Sequence, residues 1–175
     1  MLLPLHINCL TNKTFFVMKK VFLSLALCAV AFAASAQLKS VDAKMDYRWK
    51  TGFGVGATIG LGEAIEIAPS VSYFFPGDHW TMWEADVNAH YILPFEIHEN
   101  LDLYPVAGLG LFHIGYDYDD FGLDDDYSYN KLLINVGAGA RWHFNDQWAA
   151  FAEEKYQIVD GYDENYFTVG ISFKF

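Results

Sequence analysis

Cysteine is almost absent from this chain. There are two, Cys9 and Cys28, and both fall within the first 36 of 175 residues. Beyond them no disulfide, catalytic thiol or sulfur-ligated metal can form. Positive charge is also scarce, with 11 Lys and Arg against 22 Asp and Glu. A surface of that sign repels nucleic acid and anionic membrane surfaces. Long hydrophobic runs are missing too: the longest, Val21 to Ala33, falls short of the ~20 apolar residues of a spanning helix.

That run has a different meaning. It follows Met18, Lys19 and Lys20 and precedes "ASA" before Gln37, the order of a secretory signal peptide. Residues 1–36 are therefore expected to be an upstream extension and a cleaved signal peptide, with Met18 the true start. Leu27 stands before Cys28 where a lipoprotein acceptor needs a small residue, so lipidation is not expected. Removal takes both cysteines and Lys13, Lys19 and Lys20, leaving eight basic residues against all 22 acidic ones, a balance of −14. Residues 37–175 are the length of one domain.

What fills that domain is alternation. Val41, Ala43, Met45, Tyr47 and Trp49 oppose Asp42, Lys44, Asp46 and Arg48. Phe53, Val55, Ala57, Ile59 and Leu61 oppose Gly54, Gly56, Thr58 and Gly60. The same period of two recurs in six further segments, ending with Phe167, Val169, Ile171, Phe173 and Phe175 against Thr168, Gly170, Ser172 and Lys174. Parity is unbroken from 41 to 61, which predicts a three-residue hairpin loop, placed at Lys50-Thr51-Gly52 with glycine at the left-handed position. No segment of the domain carries a helical period.

The two faces decide the class. The polar face holds Gly and both signs of charge, among them Asp42, Lys44, Arg48, Glu66, Glu84, Asp86, Lys131, Arg141, Glu153 and Lys155; the other face is almost wholly aliphatic and aromatic. A soluble sandwich or lipocalin-like barrel turns its apolar face inward. Strands of ~9–11 residues with uninterrupted apolar faces suit the inverse, lipid outside and a packed polar interior. Aromatics fall in two groups at strand ends: Phe95, Trp142, Phe144, Trp148, Phe173 and Phe175 on one rim, and Trp49, Phe53, Tyr73, Phe75 and Trp80 on the other. Such girdles mark the two interfaces of a membrane barrel. The expected fold is all-β, an eight-stranded antiparallel up-and-down transmembrane β-barrel, its last strand paired with its first because lipid allows no open edge.

With the signal peptide, the alternating strands and the terminal "TVGISFKF", the chain resembles the small outer-membrane β-barrel family of Gram-negative bacteria, the OmpA/OmpX type. The resemblance covers the whole mature chain and rests on a pattern more than on a unique motif. It implies the cell outer membrane, both termini in the periplasm, outer-membrane lipid and the barrel assembly machinery as partners, and a monomer. Phe173 and Phe175 resemble the family's C-terminal assembly signal. The segments "KTG", "PGDH", "GYDYDDFGLDDDYSYN" and "DGYDEN" would then lie outside the cell.

The chemistry-bearing residues are few. Asp117, Asp119, Asp120, Asp124, Asp125 and Asp126 supply hard oxygen ligands of the kind Ca²⁺ takes. Phe121 at a ligand position and Ser128 in place of a bidentate Glu disfavour an EF-hand, so a solvated loop is the primary reading and calcium the secondary one. Tyrosines among the aspartates suit contact with an extracellular protein. Arg48, Lys131, Arg141 and Lys155 are expected to pair with Glu66, Glu84, Asp86 and Glu153 and plug a lumen that has room only for its own side chains. Lipid-modifying barrels carry a His-x-Ser pair at the outer rim; His90 and His113 have no such serine. "GFGVGA" precedes no helix and is set aside as a dinucleotide fingerprint. Catalytic residues, cofactor and nucleic acid are not expected. Glu154, at a lipid-facing position, requires either a bulge that turns it inward or a strand that runs past the membrane. The preferred function is a structural or surface-interaction role, porin-like in fold, with the barrel as anchor and the acidic loops as contact surface. The alternatives are a lipid A-modifying hydrolase or acyltransferase and a soluble lipocalin-like carrier.

Overall fold

The computed structural model describes residues 37–77, 80–95, 97–116, 127–161 and 163–175. The predicted signal peptide lies outside them. Alternation becomes eight strands: β1 (Gln37–Tyr47), β2 (Thr51–Gly60), β3 (Ile65–Gly77), β4 (Trp80–Tyr91), β5 (Leu101–Tyr116), β6 (Tyr127–His143), β7 (Trp148–Val159) and β8 (Glu164–Lys174). Each pairs antiparallel with the next, and β8 returns to β1, so the sheet is a closed barrel. The seam is in continuous register from Ser40↔Lys174 to Tyr47↔Phe167. Closure leaves no row of unpaired backbone groups, the condition for crossing lipid.

The period of two sorts the side chains cleanly. Val41, Met45, Val55, Val71, Val87, Leu109, Val136 and Ile171 are exposed on the outer wall. Lys44, Asp46, Arg48, Glu66, Glu84, Asp86, Asn88, Asn135, Glu153, Lys155 and Gln157 are buried within. The end bearing the β1–β2, β3–β4, β5–β6 and β7–β8 connections is called upper here. The lower outer rim carries Phe95, Trp142, Phe144, Trp148 and Phe175, and the upper one Phe53, Tyr73 and Phe75, all exposed.

Three expectations are corrected. The first loop is Arg48-Trp49-Lys50, closed by a hydrogen bond from Arg48 N to Lys50 O at 3.0 Å, with Tyr47 opposite Thr51. Parity survives because both loops have three residues. Gly52 has no positive φ; it is small because a Cβ there would lie 2.8 Å from Phe74 Cδ1 and from Tyr73 O. Trp80 is not a girdle residue: it packs inward against the upper core and its ring centroid lies 5.2 Å from that of Trp49.

Glu154 is the third. It pairs with Ala138 and Phe167 in unbroken register, so no bulge turns it inward, and its side chain is exposed on the outer wall. It stands six residues above the rim aromatic Trp148. At a rise of ~3.3 Å and a tilt of ~40° that is roughly 15 Å up a ~25 Å apolar band. The strand therefore does not carry it clear of the lipid-facing wall.

Candidate functional site

The lumen is built in tiers. At the top, apolar residues occupy inward positions: Phe74, Met82, Phe112, Leu133, Val159 and Tyr166 form one buried cluster, with Trp80 and Ile114 packed on it. Register explains the gathering. Phe74 opposes Met82, Met82 opposes Ile114, and Leu133 opposes Val159. This lid was not read from the sequence. The signal was present as an apolar residue on the polar parity near the same end of β3, β4, β5, β6, β7 and β8.

Arg48 hangs beneath the lid. Its guanidinium lies 4.4 Å from the Phe112 ring centroid and donates to Glu84 Oε2 at 3.1 Å and Gln157 Oε1 at 2.8 Å; it also contacts Glu164. Gln157 Nε2 donates to Glu84 Oε1 at 2.7 Å and Asn135 Oδ1 at 3.0 Å, and Asn135 Nδ2 donates onward to Asp86 Oδ1 at 3.0 Å and Asn88 Oδ1 at 2.9 Å. Asp46 accepts from Ser72 and Thr168 and lies 3.4 Å from Lys44 Nζ. Arg48, Glu84, Lys44 and Asp46 thus each meet an opposite charge, and Asp86 takes the Asn135 amide; without such partners their desolvation would be prohibitive.

Lower down, Glu153 receives the Tyr104 hydroxyl at 3.1 Å and stands 3.6 Å from Lys155 Nζ. His90 stacks on Tyr104 with ring centroids 4.6 Å apart, and both its ring nitrogens lack a hydrogen-bond partner. It lines a cavity of about 30 Å³ with Lys44, Tyr104, Arg141, Glu153 and Lys155, room on the scale of one ordered water. At the lower mouth Arg141 donates to Glu66 at 3.0 Å, Lys39 donates to the other Glu66 oxygen at 3.0 Å, and Asp102 Oδ2 lies 2.7 Å from His143 Nε2.

The residues proposed for the plug therefore separate. Arg48 and Glu84, Arg141 and Glu66, and Lys155 and Glu153 are brought together. Asp86 is held by the amide of Asn135. Lys131 lies outside the central network: it reaches Asp160 O at 3.1 Å and Asp160 Oδ2 at 3.3 Å at the upper mouth, because β6 descends from that end and Lys131 precedes the lid residue Leu133. Phe173 packs edge-on against Trp148 and Phe175, and Phe175 N donates to Lys39 O at 3.1 Å across the seam. Asp117, Asp119, Asp120, Asp124, Asp125 and Asp126 lie outside the described residues. No group of three His, Cys, Asp or Glu able to hold a metal is found among the described residues. His113 is on the outer wall, 2.8 Å from Asn130 Oδ1 and stacked on Trp83.

Above the lid a second cavity, of about 350 Å³, opens at the upper mouth. Trp49 from the first loop, Phe112 and Ile114 from β5, Tyr129 and Lys131 from β6, Asp163 just before β8 and Glu164 at its start line it.

Comparison with known proteins places this architecture. The family model described as outer membrane protein beta-barrel domain matches residues 22–175. No curated protein matches the chain. Among solved structures, the N-terminal β-barrel domain of Pseudomonas aeruginosa OprF is similar at 21% identity over 79% of this chain and 100% of that one, with a TM-score of 0.62. Neisserial surface protein A is similar at 15% identity over 80% and 99% of the two chains, TM-score 0.60. Ail, the attachment invasion locus protein of Yersinia pestis, is similar at 15% identity over 80% and 97%, TM-score 0.54. At these identities the likeness is one of fold.

Proposed function

Since the chain belongs to the outer membrane protein β-barrel domain family and resides in the cell outer membrane, we propose that its barrel is a closed anchor and that its upper end is an acidic surface contacting basic extracellular proteins. The observation that carries this reading is the unequal height of the wall. β5 and β6 have 16 and 17 residues, where β1 and β2 have 11 and 10. Their outer faces change character on the way up. Leu109, Leu111, Leu132 and Ile134 give way to His113, Asn130 and Ser128, so the β5–β6 ribbon leaves the lipid there and continues into water. It delivers the segment that bears six aspartates.

A lumen filled by its own side chains has no path for solutes, which favours anchor over channel. Ail has been solved with the heparin analogue sucrose octasulfate, a polyanion. A chain with 22 acidic and 11 basic residues repels such a ligand and attracts its opposite. The finer role, non-enzymatic and adhesive, stands on this charge and on the projecting ribbon.

The test replaces residues 117–126 with a short Gly-Ser linker. Heat-modifiable gel migration should persist, because a polar loop contributes little burial, while capture of a basic protein such as cytochrome c should fall several-fold. Loss of barrel assembly, or capture unchanged at low salt, would overturn the reading.

A further inference from the structure

The upper cavity has a composition that fits one ligand chemistry. The geometry points to a binding cup for a basic side chain of a protein partner, an ammonium or guanidinium on an apolar stem. Its wall is apolar and aromatic where Trp49, Phe112, Ile114 and Tyr129 meet, and anionic where β8 begins. Trp49 is 53% exposed, so a large indole face is open to a ligand at the mouth.

The charges around the cup are not equivalent. Lys131 is engaged by both the backbone and the carboxylate of Asp160. Asp163 uses Oδ1 to accept the Val159 amide at 3.0 Å, and Glu164 uses Oε1 toward Arg48. Glu164 thus already has a counter-cation, whereas Asp163 has no ion pair among the described residues. An Asp163 carboxylate without a counter-cation, beside Glu164, favours a ligand cation that donates hydrogen bonds. An aromatic face beside them adds cation–π attraction, and the apolar floor takes the methylene stem. Arg48 already shows the barrel receiving a guanidinium this way, between Phe112 and the carboxylates of Glu84 and Glu164. Lying above that site, the cup repeats its chemistry on the solvent side. An anionic or neutral apolar ligand would leave Asp163 without a counter-charge.

This inference deepens the proposed function, naming what part of a basic partner is held and where. It is tested on the full barrel in detergent, with heat-modifiability confirming the fold of every variant. The probe is an acetylated and amidated Phe-Lys-Phe-Lys peptide, titrated by calorimetry and by Trp fluorescence. Saturable binding is expected, with the Glu-for-Lys peptide inert. Trp49→Ala and Asp163→Asn should each weaken it about tenfold. Asp163→Asn keeps an oxygen for the Val159 amide and so leaves the turn intact. Ile114→Lys should abolish binding by placing a cation in the cup. A variant with Asp117, Asp119, Asp120, Asp124, Asp125 and Asp126 changed to Asn should bind the peptide within about twofold of wild type. Absence of saturable binding, equal binding of the acidic peptide, or Trp49→Ala and Ile114→Lys variants that bind like wild type would each overturn the cup. n-Hexylamine binding as tightly as the peptide would overturn the assignment to a protein side chain in favour of a free amine. If wild type captures cytochrome c but not the peptide, the cup fails while the acidic-surface reading stands.

Discussion

Glu154 sets one residue against the solvent of the whole molecule. Its neighbours on the outer wall, Ala138, Ala152, Tyr156 and Phe167, offer no cation, and it has no hydrogen bond or ion pair among the described residues. A carboxylate facing hydrocarbon is unfavourable, by less than the ~2–4 kcal/mol measured for Lys or Arg at the midplane. Glu154→Leu should therefore stabilise the barrel by about 1–2 kcal/mol in urea unfolding from lipid vesicles. A destabilised variant would mean that the carboxylate has a role in the bilayer that outweighs its solvation. The position was legible in the sequence, since parity places residue 154 outward. Its two escapes were not decidable there, because a bulge and a strand overhang leave the same letters in the chain.

Among elements, the β5–β6 pair shows why alternation reveals so much and where it stops. Alternation follows from the two solvents on either side of the wall, so strand number, facing and closure could all be read from period and parity. Depth cannot be read that way. Lys131 and Arg141 share one strand and one parity, yet Lys131 rises to the mouth while Arg141 stays in the lower lumen. Phe74 and Ser72 are likewise both inward, one in the lid and one on Asp46. The position of the first loop also escaped, since loops of equal length shifted by two residues preserve the same faces. Size, too, is set by the neighbouring strand. Gly139 lies beneath the Tyr104 ring, and a Cβ there would overlap it. Gly139→Ala should cost about 1–3 kcal/mol through overpacking, read as a lower unfolding midpoint at unchanged m-value. No change in midpoint would show that Tyr104 can move aside.

For the whole molecule the vertical order of the interior matters most. An apolar lid sits over a hydrogen-bonded network, and the network over a charged lower mouth. A channel would need water along this axis, yet each tier is occupied by packed side chains. In planar bilayers the wild type should show no large, steady conductance. A stable open state of porin size would refute the closed lumen. The stability of such an interior is cooperative: removing one partner from a buried pair typically costs ~3–5 kcal/mol, so the tiers hold or fail together.

The seam between β1 and β8 gives this interior an order in time. Asp46 on the first strand takes a hydrogen bond from Ser72 on the third and another from Thr168 on the last, 122 residues away in sequence. Hairpins along the wall can form from neighbours, but that carboxylate is fully solvated by protein only once the final strand arrives. Until then a charge destined for the interior has half its cage. High-separation contacts of this kind make folding slow. Closing the seam thus completes two things at once, the cage of a buried charge and the last edge of the sheet.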